Sequence, residues 1–551
     1  MTLKPLALSL LLSLAGLAAA AAPAKPFAWE GATVYFLLTD RFNNADPAND
    51  LAYGRKADAA PGRGFMGGDL KGVTAKIREG YFNDLGVDAL WINPPVEQIH
   101  AATDEGTGRS YGFHGYWARD FTRVDANLGT AADLRELVDT AHKHGLRVLL
   151  DVVMNHTGPV TPQDPVWPKE WVRLDPVCQF KDVPTTVDCA LVKNLPDVRT
   201  DSHQDVALPP PLVAKWKKEG RYGREMRELD AFFRRTGYPR APRYYLIKWH
   251  ADWVRKYGFD GFRADTVKHT EPGVWKELKK EASLAYEDWK CANPAKRLGN
   301  EPYGEPFYMT AEVFNYAIHH GRQFDMGGGA MADFYANGFD SLINFSLPAD
   351  AKGSYEALFA DYAATLHGPL KGHSVLNYMS SHDDGGPFDP LRTRPFETAN
   401  KLLLAPGAAQ IYYGDESARL LTVEGAQGDA KLRSFMNWRE LAANTQRAGY
   451  RIADVRRHWA LLGRFRHAHP AVGAGEHRKL ADNPYTFART WQADRVVVAL
   501  DAGTERPVPV SVRGVFADGE TVTDYYSGKK AVVTDGRVIF DASNAVILIG
   551  Q

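Results

Sequence analysis

Apolar positions recur along the chain in two alternating patterns. Runs apolar on both faces fall at 32–42 (ATVYFLLTDRF), 87–94 (VDALWINP), 146–156 (LRVLLDVVMNH) and 258–265 (GFDGFRAD). Four more follow at 307–314 (FYMTAEVF), 339–346 (FDSLINFS), 374–384 (SVLNYMSSHDD) and 408–416 (AAQIYYGDE). Segments of helical period separate them. In TAADLRELVDTAHKHG, Leu134, Leu137, Val138 and Ala141 share one face, Thr130 and Asp133 have capping-box spacing, and Gly145 marks a stop. Other helices are predicted near 70–85, 243–257, 272–289, 354–366, 395–405 and 451–467. Strands buried on both faces and joined by helices predict parallel sheet. Eight of them predict an α/β fold closed as a (β/α)8 TIM barrel.

Two stretches break the alternation. Between the third and fourth strands lies a Pro-rich segment, 157–242, too long for an ordinary connection and read as an inserted domain. Beyond about residue 470 come short runs such as RVVVALDAG, VPVSVRG and AVILIG, which predict an antiparallel β-sandwich over 471–551. The barrel is then expected over 23–156 and 243–470.

The N-terminus has its own layout. Lys4 precedes the apolar run PLALSLLLSLAGLAAA, with small residues through Ala20 to Ala22, so residues 1–22 read as a signal peptide. The protein is expected to be exported, to a periplasm or the medium, as a monomer with no membrane attachment after cleavage. The formal net charge is −1 and no basic block occurs, so nothing calls for nucleic acid. Of three cysteines, Cys178 and Cys189 lie eleven positions apart in the insertion and suit a disulfide in an oxidising compartment. The alternative is three unpaired thiols. Either way Cys291 is left over.

Candidate chemistry collects where strands end, which in such a barrel is the catalytic face. Asp151, Asn155 and His156 end the third strand, Arg263 and Asp265 the fourth, Glu312 the fifth, and His382 and Asp383 the seventh. Strand alternation turns Arg263 and Asp265 to one side. Gathering three carboxylates is a poor choice for stability, because buried charge costs several kcal/mol unless compensated. Glycoside cleavage needs such a set: an ionised carboxylate at the anomeric carbon, favoured by a neighbouring cation, and a protonated acid for the departing oxygen, favoured by apolar surroundings.

DVVMNH (151–156), GFRADTVKH (261–269), MTAEVF (309–314) and SSHDD (380–384) resemble, in order, the four conserved regions of the α-amylase superfamily, glycoside hydrolase family 13. YGFHGYWARDF (111–121), LPDV (195–198) and IYYGDE (411–416) support the likeness, which runs from about residue 30 to 470 and is nearest to secreted or periplasmic bacterial α-amylases. The resemblance implies a retaining enzyme acting on α-linked glucans, with Asp265 as nucleophile, Glu312 as acid/base and Asp383 as the third carboxylate. It implies contacts from Arg263, His156, His382, Tyr116 and His114 to the sugar at the cleavage point, and from Lys268 and His269 to the leaving side. It also implies a structural Ca2+ held by the side chains of Asn155 and Asp197 and the carbonyl of His269. Ser381 and Ala311 depart from the usual Asn and Gly of that family. The expected activity is hydrolysis of internal α-1,4 bonds in starch, glycogen or maltodextrins. Maltodextrin trimming, 4-α-glucanotransfer and a non-catalytic glucan-binding role are the alternatives.

Overall fold

The computed structural model describes residues 27–104, 106–298, 304–383 and 386–551. The signal-peptide reading for residues 1–22 lies outside the described residues. Eight parallel strands close into a barrel: β1 (Thr33–Leu37), β2 (Ala89–Ile92), β3 (Arg147–Val152), β4 (Gly261–Ala264), β5 (Tyr308–Ala311), β6 (Ser341–Asn344), β7 (Ser374–Tyr378) and β8 (Ala408–Tyr412). Each falls inside one of the eight sequence runs. The strands are buried throughout because helices cover their outer faces. Neighbours in the barrel are neighbours in sequence except at the closing seam, where Thr33 of β1 lies in register with Ala409 of β8.

The helices follow the predicted faces. In α1 (Ala131–Lys143), Leu134, Leu137, Val138 and Ala141 are buried, and the Thr130–Asp133 capping box forms. The helices α2 (Pro242–Tyr257), α3 (Pro272–Ala292), α4 (Tyr355–His367), α5 (Pro395–Leu403) and α6 (Ile452–Ala468) lie where the helical period placed them.

The segment between β3 and α2 holds a two-stranded ladder, Val172–Arg173 against Asp197–Val198, and helices at Pro210–Lys218 and Tyr222–Thr236. Cys178 and Cys189 are joined by a disulfide, and Cys291 is exposed on α3. Trp171 and Trp216 are fully buried against Trp249 of α2, so this segment shares one apolar cluster with the barrel.

The C-terminal strands form a six-stranded antiparallel sheet and a separate two-stranded one, Val510–Ser511 with Arg537–Val538. In its strand Asp494–Leu500, Val496, Val498 and Leu500 join the barrel cluster, while Val497 and Ala499 join a second core with Val510, Val512 and Val538. The sheet therefore lies between two apolar layers, which explains why RVVVAL reads as continuously apolar despite its period of two.

Gly463 of α6 sets how closely that helix approaches the barrel: a Cβ there would lie 2.0 Å from the Leu85 carbonyl oxygen, a backbone atom that cannot swing aside. Gly463→Ala is expected to destabilise the fold by about 1–3 kcal/mol. An unchanged urea midpoint in tryptophan fluorescence would refute this packing.

Candidate active site

The top of the barrel opens into a cleft of about 870 Å3 lined by His114, Tyr116, His156, Asp265, Lys268, His269, Glu312 and Asp383. Arg263 and His382, both buried, contact this lining, Arg263 at Asp265 and Glu312 and His382 at Asp383. Register explains the convergence: Arg263 pairs with Asp151 on β3 and Thr310 on β5, so the three strands deliver their polar ends at one level. Asp265 follows β4 and extends its ladder by donating its N–H to Val152 O. Thr266 then turns the chain at φ 49°, a left-handed conformation that a β-branched residue rarely adopts, and donates its N–H to Glu312 Oε2 at 2.8 Å.

Arg263 ties the site together. Its Nη1 is 2.6 Å from Asp265 Oδ1 and 3.0 Å from Asp151 Oδ1, and its Nη2 is 3.3 Å from Glu312 Oε2. The guanidinium is buried, and the carboxylates around it hold its pKa above the ordinary value despite burial. Glu312 goes the other way. Burial, reinforced by the charges of Asp265 and Asp383, pushes it up to about 8 against the pull of Arg263. For Asp383 burial also favours the neutral acid, but His382 and Arg433 outweigh it and hold the carboxyl well below the usual range. The site thus keeps one acid protonated near neutrality beside another held ionised.

Burial lowers the pKa values of the four histidines. His114 Nδ1 accepts the Tyr116 N–H at 3.1 Å, which leaves its proton on Nε2. His156 turns Nε2–H to the Tyr116 carbonyl at 3.0 Å. His269 donates Nδ1–H to Thr186 O at 2.8 Å. His382 Nε2 lies 2.8 Å from Asp383 Oδ2. The Tyr116 ring lies nearly parallel to His382 at 5.4 Å between centroids, and its hydroxyl donates to Asp151 Oδ2 at 2.8 Å. Lys268 Nζ sits 5.5 Å from the rings of Phe180 and Phe314 and bonds the Phe314 carbonyl at 3.2 Å.

Several cleft residues escaped the sequence reading. Arg433 donates to Asp383 Oδ1 and to the His382 carbonyl, and pairs with Asp429 at 2.7 Å. Arg63 reaches the same Asp429 at 2.9 Å. Phe180 and Phe314 form an exposed apolar rim. Asp151, at the end of the third strand, accepts from Tyr116, Trp91 and Arg263 together. Phe314 and Asp151 stood inside quoted motifs; the others lie on loops with no local signature.

Asn155, Asp197 and the His269 carbonyl also converge, at the junction of barrel and insertion. Asn155 Nδ2 is 2.8 Å from Asp197 Oδ1 and 2.9 Å from His269 O. Burial pushes the Asp197 carboxyl up to about 9, against the pull of Arg173. Asp188, Asp201 and Glu271 cluster in the same region, their oxygens within 4.8 Å of one another. A carboxylate, an amide that can present its oxygen and a backbone carbonyl are the hard donors that calcium takes, so the set fits that ion by type.

Comparison with known proteins gives a consistent picture. The family model for the α-amylase catalytic domain matches residues 36–163. The periplasmic α-amylase of Escherichia coli K12 is 37% identical over 538 residues, spanning 86% of this chain and 72% of that protein. A cyclomaltodextrin glucanotransferase of Geobacillus stearothermophilus is 24% identical over 93% of this chain, which spans only 65% of that protein's length. Among solved structures, an α-amylase of Geobacillus thermoleovorans complexed with acarbose covers 95% of this chain and 99% of its own, with TM-score 0.64 and 23% identity.

The depressed carboxyl of Asp383 contributes stability above its ordinary pKa of about 4 and loses it as pH falls below that value. Arg433→Gln weakens the contribution. Its urea midpoint is expected to fall below that of the parent at about pH 6–7, with the gap narrowing below about pH 4. A gap constant across that range would refute the pairing.

Proposed function

Since this chain belongs to the α-amylase family, we propose that it is an α-amylase hydrolysing internal α-1,4-glucosidic bonds of starch or maltodextrins with retention at the anomeric carbon. The observation that carries this reading is the single guanidinium in contact with Asp151, Asp265 and Glu312, of which Glu312 keeps a proton to about 8.

Asp265 attacks the anomeric carbon as Glu312 passes its proton to the departing glucosidic oxygen, leaving a glucosyl ester on Asp265. Water then gives its proton to Glu312 and displaces Asp265, which restores both groups. Arg263 keeps the nucleophile aimed, and Asp383, fixed by Arg433, receives sugar hydroxyls. His114 offers Nε2–H to the same sugar, with Tyr116 and His382 beside it. His156, its Nε2–H turned to the Tyr116 carbonyl, backs that wall. Lys268 and His269 take the leaving side. The exposed rings of Phe180 and Phe314 there suit sugar stacking and also screen water, which favours a second reading in which part of the glucosyl ester passes to another glucan.

Calcium belongs to the same proposal: Asn155, Asp197 and the His269 carbonyl would hold it, and the ion would clamp the insertion onto the barrel. So does the division into a barrel, a domain inserted at 157–242 and a C-terminal domain at 471–551. Export is part of it as well, supported by the disulfide, the apolar leader and the periplasmic relative.

On soluble starch, iodine colour is expected to fall much faster than reducing ends accumulate. Colour lost with no new reducing ends would replace hydrolysis by transfer, and reducing ends without colour loss would mean end-trimming. Asp265→Asn should abolish turnover with the fold intact by circular dichroism; near-normal turnover sinks the nucleophile assignment. Because Glu312 must be protonated to assist departure, kcat/KM should decline as pH rises through about 8. Glu312→Gln should lower it about 10²–10⁴-fold and remove that limb.

A further inference from the structure

Arg173 stands at the same junction with no place in the mechanism. It lies in register with Asp197 across the short ladder of the insertion, so its position is set by backbone pairing. Its side chain is 9% exposed and faces three carboxylates: Nε is 2.9 Å from Asp197 Oδ2, Nη1 is 3.5 Å from Asp188 Oδ1, and Nη2 contacts Asp201. Glu271 clusters with Asp188 and Asp201 and, like them, acts by its charge on Asp197, which makes four acids. Among the described residues, no other cation pairs with any of them.

Asp197 divides its two oxygens. Oδ1 faces Asn155, which also reaches the His269 carbonyl, while Oδ2 faces Arg173. The carboxylate is therefore shared between the calcium donor set on one side and a fixed guanidinium on the other. We propose that Arg173 is a built-in cation of this junction: it holds the acids of the insertion together beside the barrel when calcium is absent, and by its charge on Asp197 it loosens calcium binding. This inference rests on the calcium reading above. Four acids with one cation keep an excess of negative charge that still admits a dication. With Arg173 removed they repel one another unless calcium is present, so the junction comes to depend on the ion. Removing a positive charge this close is expected to tighten calcium binding about tenfold or more.

The test uses the full chain, stripped with chelator, in three forms: the parent, Arg173→Gln and Arg173→Lys. Calcium uptake is measured by titration calorimetry and the melting temperature with and without calcium. Chelation should lower the melting temperature of the parent and of Arg173→Lys by about 2 °C or less, and that of Arg173→Gln by about 5 °C or more. Arg173→Gln should also bind calcium about tenfold more tightly than the parent. If Arg173→Gln folds only with calcium in the refolding buffer, the inference holds in stronger form; failure to fold even then overturns it, since calcium should replace the lost charge. Equal chelator shifts and equal affinities in all three forms overturn the role of Arg173 and leave the calcium reading intact. No calcium uptake by any form overturns the calcium reading first, and the sharing with it.

Discussion

One buried guanidinium governs the top of this barrel. Arg263 is in contact with Asp151, Asp265 and Glu312, a single positive charge for three acids. In a water-poor site a lone ionised carboxylate is costly, so three beside one cation cannot all carry charge. Burial pushes Glu312 up to about 8 against the pull of Arg263, whose contact with it is the longest of the three at 3.3 Å; the shortest, 2.6 Å, goes to Asp265. Burial likewise pushes Asp151 up to about 7, even though it accepts from Arg263 and Tyr116. Burial set against one shared charge thus keeps acids protonated near neutrality beside a buried cation.

The rest of the molecule keeps that arrangement rigid and dry. Trp91 and Tyr116 hold Asp151 from one side, and the insertion walls the cleft from another, fixed to the barrel by buried tryptophans and by the His269 to Thr186 contact. At the far end, Arg466 donates to the carbonyls of Leu403 and Ala405, and Arg489 to that of Leu404, around the C-terminus of α5. Carbonyl dipoles at a helix end favour cations buried there.

Much of this was legible in the chain. All eight barrel strands and the main helices lie where apolar period placed them, because each packs on both faces or along one stripe and the pattern records that burial directly. The capping box was legible for the same reason: it is local. The site was legible as far as its residues end strands. What escaped comes from loops, where position depends on tertiary contacts that leave no period: Arg63, Asp429 and Arg433 on one side of the cleft, Phe180 on the other. Side-chain direction escaped too. Nothing in DVVMNH tells that His156 turns its Nε2 to a backbone carbonyl, and nothing in PVCQF tells that Phe180 meets Lys268. The C-terminal sheet was read as antiparallel; that its second face lies on the barrel depends on a partner far away in sequence.

The closing seam of the barrel has a kinetic consequence. Thr33 finds its partner in Ala409, so the first strand has one edge unpaired until about two thirds of the chain has followed it. The loop-closure entropy of so distant a pairing must be met before any contact across the seam returns energy. A chain delivered N-terminus first therefore stays open through most of its passage and commits to the native barrel only near the end. That delay leaves the edge of β1 exposed to wrong partners until the seam closes.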